Sequence, residues 1–214
     1  MTSFFTTGGI RGSKKKKLDK FYPRSFNMGV KRNVYEKLGG FSKMRFGEDI
    51  DFSIRIFKAG CRCRLFPDSW VWHKRRTDFR KFFRQVYNSG IARINLYKKY
   101  PESLKLVHLL PMVFTVGVIF LVLLSAVGRI LMHYDDIHRW YWLCAGPWLP
   151  IIAYCLLIFI DSTRQNRSMK IGAMSIAAAF VQLMGYGCGF LSAWWKRCVM
   201  GKNEFSAFDK TFYK

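Results

Sequence analysis

The chain has 214 residues and carries 36 Lys+Arg against 13 Asp+Glu, yet half of it is hydrophobic and 17% is aromatic. That mixture excludes a disordered chain, a collagen-like repeat and an ordinary near-neutral soluble domain. Charge is also uneven: residues 1–107 hold 26 Lys+Arg and 8 Asp+Glu, whereas residues 108–214 hold 10 and 5, so the cations precede the apolar part.

Residues 1–20 contain Gly8-Gly9, Gly12-Ser13 and a run from Lys14 to Lys17, which predicts a basic flexible loop. A short helix is predicted over 33–38, closed by Gly39-Gly40, because glycine tolerates the left-handed turn that ends a helix. A second helix starts near Glu48, where Ile50, Ile54 and Phe57 recur at i, i+4 and i+7, and it stops at Gly60. Asp51 and Arg55 lie four apart and are placed to pair on its exposed face, worth only ~0.2 to 0.5 kcal/mol.

Residues 61–66 alternate as a strand does, Pro67-Asp68 makes a turn, and Trp70-Val71-Trp72 reads as another strand ending at His73. Phe79, Phe82, Phe83, Val86 and Tyr87 then form one stripe opposite Arg80, Lys81 and Arg84. Residues 79–107 therefore read as an amphipathic interfacial helix and linker, although packing on a cytoplasmic domain gives the same pattern.

Residues 109–128, 140–160 and 171–195 contain no charged side chain. Each reaches the roughly 20 residues that a helix needs to cross a ~30 Å hydrocarbon layer. Trp140, Trp142, Trp194 and Trp195 mark their ends, with Arg129, Arg139, Lys196 and Arg197 beyond, as interfacial anchors do. Residues 108–200 thus form a transmembrane region of two or three spanning helices, followed by a polar tail over 201–214. No apolar run of signal-peptide length precedes residue 30, so the basic front is placed in the cytoplasm, at an inner or plasma membrane. Three crossings would then put the basic tail outside, against the usual bias. The third stretch therefore reads either as a third crossing or as a segment re-entrant or paired within the protein, with Gly185 and Gly189 offering a small-x-x-x-small face. The six cysteines show neither zinc spacing nor a secreted disulfide framework and are read as reduced.

Chemistry has few places to reside. Glu48 and Asp49 either favour a helix N-terminus, by ~0.3 to 1 kcal/mol, or supply a carboxylate that takes a proton from an acceptor hydroxyl. His73, followed by Lys74-Arg75-Arg76, either ends a strand or helps hold a metal or diphosphate.

Together, Phe26-Asn27-Met28-Gly29-Val30-Lys31-Arg32, Leu38-Gly39-Gly40-Phe41, Gly47-Glu48-Asp49-Ile50-Asp51-Phe52-Ser53-Ile54-Arg55, Ala59-Gly60, Pro67 and His73 resemble the acceptor-side half of a family 2 glycosyltransferase. The resemblance covers roughly residues 21–100. It implies an α/β fold, a partial A-type glycosyltransferase fold over 21–78, ahead of the α-helical transmembrane region. It also implies a nucleotide-sugar donor, a lipid-linked or glycan acceptor, Mg²⁺ or Mn²⁺, and inversion at the anomeric carbon. Asp49 would be the general base, Glu48 would orient the acceptor or the base, and His73 would lie near the metal or diphosphate; Asn27, Asp51 and Arg76 join Glu48 as substrate-binding candidates.

Two departures qualify the match. The family's nucleotide-binding half and its Asp-x-Asp have no counterpart in residues 1–46, and Asp49-Ile50-Asp51 lies in a helix where that motif does not belong. The expectation is a C-terminal portion of a longer enzyme, or a donor site supplied by a partner. Processive relatives carry Gln-x-x-Arg-Trp where this chain has Gln85 followed by Asn88 and Ser89, which points to single-sugar transfer. The competing reading is a non-catalytic membrane module that binds anionic lipid or a partner through its basic face. Nucleic acid is not an expected partner, since no recognition motif accompanies the charge.

Overall fold

The structure, a computed structural model, describes residues 23, 25–44, 46–64, 66, 72, 78–134 and 137–204. Its helices are α1 (Arg32–Lys37), α2 (Glu48–Lys58), α3 (Phe79–Lys99), α4 (Leu110–Tyr134), α5 (Ile137–Ala145), α6 (Trp148–Asn166) and α7 (Met169–Trp194), the last running on into a π turn, Trp195–Val199. Short 3₁₀ turns occupy Ser25–Asn27, Pro101–Ser103 and Leu106–His108.

Among the described residues there is no strand, which overturns the α/β expectation and with it the A-type sandwich. Residues 61–64 do alternate, with Cys61 and Cys63 half-buried and Arg62 and Arg64 exposed. Alternation reports which face of an extended segment is covered. A sheet also requires a neighbouring backbone to take the N–H and C=O groups, and no such partner flanks this segment among the described residues. Of the second expected strand, only Trp72 is described, and it is exposed. The basic loop over 1–20 lies outside the described residues.

The helix signals in the front half hold. Gly39 and Gly40 end α1 at φ 69° and 65°, and Gly60 follows α2 at φ 73°. α2 is covered on two sides. Phe52 enters an aromatic cluster with Tyr35 and Phe41, at centroid separations of 5.6 and 5.1 Å, while Ile54 packs with Leu96 and Tyr100 at the end of α3.

Three helical segments are long and apolar enough to cross a membrane: Leu110–Tyr134, Trp140–Asn166 and Met169–Val199. The second is interrupted between α5 and α6 at Gly146-Pro147, because proline lacks the N–H and its ring excludes the carbonyl four residues back. α5 folds back on the far half of α4, where Gly128 lets the α5 backbone at Leu143 and Cys144 come close and the Ser125 hydroxyl donates to the Cys144 carbonyl at 2.7 Å. α3 lies along the C-terminal half of α7. Gly185 and Gly189 make that approach possible: a Cβ at the first would strike Val86, and at the second the Tyr87 backbone. The stripe of small residues is thus paired within the protein. Where α3 and α7 meet, Ile91, Ile94, Phe190 and Ala193 form a buried core that also takes in Phe46, Leu109 and Met112. All six cysteines are free.

Candidate functional site

The acidic segment begins at Gly47, whose φ of 88° suits glycine and whose missing side chain lets the start of α2 rest on Ala92 and Leu96 of α3. Successive helical residues turn by about 100°, so Asp49 and Asp51 project from opposite faces of α2. That geometry separates their roles.

Asp51 points inward and is fully buried. Its Oδ2 accepts from Arg55 Nε at 3.0 Å, and its Oδ1 accepts from Lys99 Nζ at 2.6 Å and from the Tyr100 hydroxyl at 3.0 Å. Burial alone would push the carboxyl up, but the hydrogen bonds from Lys99 and Tyr100 outweigh it and hold the group below its usual range. Tyr100 moves the other way: burial and its bond to Asp51 push its hydroxyl up. The Asp51–Arg55 pair expected on the exposed face is therefore an inward one, because Lys99, 48 residues away in sequence, closes over the carboxylate.

Arg55 does more than pair with Asp51. Its Nη1 donates to the Leu38 carbonyl and its Nη2 to the Gly40 carbonyl, both at 2.6 Å, while the guanidinium lies 5.1 Å from the Phe52 ring centre. The planar fork thus clamps the Leu38-Gly39-Gly40 turn onto α2. Much of the motif series that prompted the family resemblance is spent on this clamp.

Glu48 and Asp49 are not. Both are half-buried in the first turn of α2. Asp49 Oδ1 accepts from the Ile50 N–H at 2.9 Å, and its backbone carbonyl accepts from the Ser53 hydroxyl at 2.7 Å. The carboxylate so sits at the positive end of the helix, with one oxygen fixed by the backbone. Phe46, just before this turn, packs into the core shared by α3, α7 and the start of α4. The acidic turn is consequently held one side chain away from the layer of apolar helices.

Of the other sequence candidates, Asn27 is exposed in the first 3₁₀ turn and makes no hydrogen bond to the α2 acids among the described residues. His73 and Arg76 lie outside the described residues. Among the described residues no three His, Cys, Asp or Glu side chains gather to hold a metal ion, and Asp51, the most enclosed acid, is already occupied by two cations. Sequence reasoning missed Lys99 and Tyr100; nothing local to them announces that they meet Asp51.

Residues 26–160 match the family described as glycosyl transferase family group 2. The chain belongs to that family. A probable glycosyltransferase, YdaM of Bacillus subtilis (strain 168), is 30% identical over 59 residues, which are 28% of this chain and 14% of the relative. The matched segment thus spans about one seventh of that relative's length. No solved structure matches the chain.

Proposed function

We propose that the chain is the acceptor-side and membrane part of a glycosyltransferase that moves one sugar from a nucleotide-sugar to a lipid-linked or glycan acceptor at the cytoplasmic face of an inner or plasma membrane. Asp49 is the general base. Its carboxylate takes the proton of an acceptor hydroxyl. The freed oxygen forms a bond to the anomeric carbon from the face opposite the diphosphate, whose bond to the sugar breaks with the electron pair leaving on phosphate. Attack from the opposite face inverts the configuration. Such general-base help contributes typically 10² to 10⁴ in rate. Glu48, next in the same turn, orients the acceptor hydroxyl. Asn27 and Arg76 complete the substrate contacts, Arg76 near the departing diphosphate, and Asp51 acts on the acceptor only through the position it gives α2. Mg²⁺ or Mn²⁺ belongs to this proposal through family membership, with His73 as the residue that would lie near it.

The observation that supports the reading best is the division of labour on α2. Asp51 is consumed by Arg55, Lys99 and Tyr100, whereas Asp49 forms no ion pair among the described residues and the turn that carries it is anchored through Phe46 above the apolar helices. A base held there meets an acceptor whose lipid anchor lies in the bilayer, which reduces the search to a surface.

The test is transfer of labelled sugar from a panel of nucleotide-sugars into the lipid and glycan fractions of membranes from the native organism, with Asp49→Asn introduced at the native locus. Incorporation is expected to fall at least 100-fold with membrane abundance of the protein unchanged. Unchanged incorporation rejects the base assignment and favours the anchored, non-catalytic alternative.

A further inference from the structure

By length and composition α7 is a third crossing, but its contacts place it elsewhere. Around Ser125 and Gly128 the far half of α4 meets α5 and the start of α6: Ser125 donates to Cys144, Gly128 touches Leu143 and Cys144, and the Trp148 indole N–H reaches the Ser125 hydroxyl at 2.9 Å. From that level α6 turns back toward the start of α4, where the Tyr154 and Phe114 rings lie 5.2 Å apart, tilted by 53°. The path from Trp148 to Asn166 rises about 27 Å, more than the roughly 22 Å from Ser125 back to Leu110. α6 therefore reaches back past the start of α4.

α7 leaves from that level, joined to α6 by the Ser162–Ser175 hydroxyl pair at 2.6 Å. A third crossing would carry its C-terminal half toward Tyr134. Instead, Phe180 meets Phe114, the Thr115 hydroxyl reaches the Leu183 carbonyl at 3.4 Å, Gly187 lies on Pro111 and Thr115, and Phe190 and Ala193 close the core with Leu109 and Met112. These contacts all lie in the first turns of α4 or just before it, and the opposite flank of α7 is covered by α3, the basic amphipathic helix.

We infer that α7 is a re-entrant floor beneath α3, packed on the first turns of α4 and reaching α6 as far as Tyr154, whose ring lies 6.1 Å from Phe180, so that both of its ends, and the acidic turn of α2, face the same side of the bilayer. Charge agrees. The cations that flank α7, Arg164, Arg167, Lys170, Lys196, Arg197 and Lys202, then join the basic front half, while in sequence the opposite end, from Arg129 to Arg139, has two arginines balanced by two aspartates. Each basic segment is retained on one side, as the positive-inside bias requires, and the parity conflict raised by three apolar stretches disappears. The partner of this floor is a layer of lipid headgroups, with exposed Met169, Met174, Trp194 and Trp195 at its two ends. The inference holds whether or not sugar transfer does.

The unaltered full chain in sealed inside-out and right-side-out vesicles tests it first. Trypsin cleavage is mapped by mass spectrometry, and cuts in 164–170 and in 196–202 are expected from the same face. In a cysteine-free full chain, Ser168→Cys and Lys202→Cys are then labelled by a membrane-impermeant maleimide, with Tyr134→Cys, at the exposed end of α4, as the opposite marker. Labelling of 168 and 202 from one side and of 134 from the other is the expected result. Positions 168 and 202 reacting from opposite sides, in either experiment, overturns the inference.

Discussion

Asp51→Asn separates a carboxylate that holds the fold from one that performs chemistry. The substitution keeps shape but replaces one accepting oxygen by an amide that can only donate, facing cations that also only donate. Hydrogen bonds to a charged group are worth about 1.5 to 3 kcal/mol each, and removing one member of a buried pair costs about 3 to 5 kcal/mol. Two factors hold the loss near the lower figure. Arg55 keeps its bonds to Leu38 and Gly40, and the Lys99 side chain is 42% exposed, so water takes back part of its solvation. A loss of about 3 kcal/mol is a change of roughly 100-fold in an equilibrium constant. Because Asp51 ties α2 to α3, that energy belongs to the docking of α2 before it belongs to global unfolding. Hydrogen exchange of peptides covering 47–60 in the detergent-solubilised full chain reads it directly. Protection is expected to drop about 100-fold for Asp51→Asn and less than fivefold for Asp49→Asn, whose amide oxygen still accepts from Ile50. Equal exchange in the two variants refutes the assignment of Asp51 to structure and Asp49 to chemistry.

Other consequences are equally open to measurement. Gly189→Leu would press a side chain into the Tyr87 backbone and should release α3, seen as new protease cuts within 79–99, whereas Gly117→Ala, with nothing within 4 Å, should leave cleavage unchanged. Arg55→Lys keeps the charge but not the fork, so the Leu38-Gly39-Gly40 turn should lose protection while α3 keeps it. His108 is held down to about 4 by burial and by the nearby Arg93 and Lys105, against an ordinary value near 6.5. The unfolded chain therefore takes up the proton first, so the turn at Leu106–His108 should lose stability as pH falls from about 6.5 towards 4. His108→Gln should flatten that slope in pH-dependent hydrogen exchange. Asp51 behaves differently: its contribution is complete above about pH 4 and disappears only as pH falls through its lowered value, so α2 docking should survive the range in which the His108 turn weakens.

How much was legible in advance depended on how local each cause was. Gly39-Gly40 and Gly60 end helices because a left-handed residue is required within one turn of the stop, and such punctuation is written beside the element it ends. The three uncharged stretches needed only their own length and composition. Residues 61–66 show the limit. Their alternation is real, yet a strand is a property of a pair of backbones, and the partner's absence among the described residues cannot be read from the segment itself. Asp51 shows it again: an i, i+4 spacing to Arg55 announces the pair, but only the return of α3 decides that Lys99 and Tyr100 bury it.

The sequence by itself thus determined the helices of the front half, the apolar lengths, the basic front and the motif series that marks the family. It also named the two carboxylates at the head of α2. Only tertiary structure decided which acid faces inward, that the glycine stripe of α7 receives α3, and that α7 meets α4 at one end alone. The physical reason is range. Helix stops and hydrophobic lengths are set by neighbours within a few residues, whereas burial of a charge and the level of a helix in a bilayer are set by contacts between segments tens of residues apart, which no periodicity in either segment encodes.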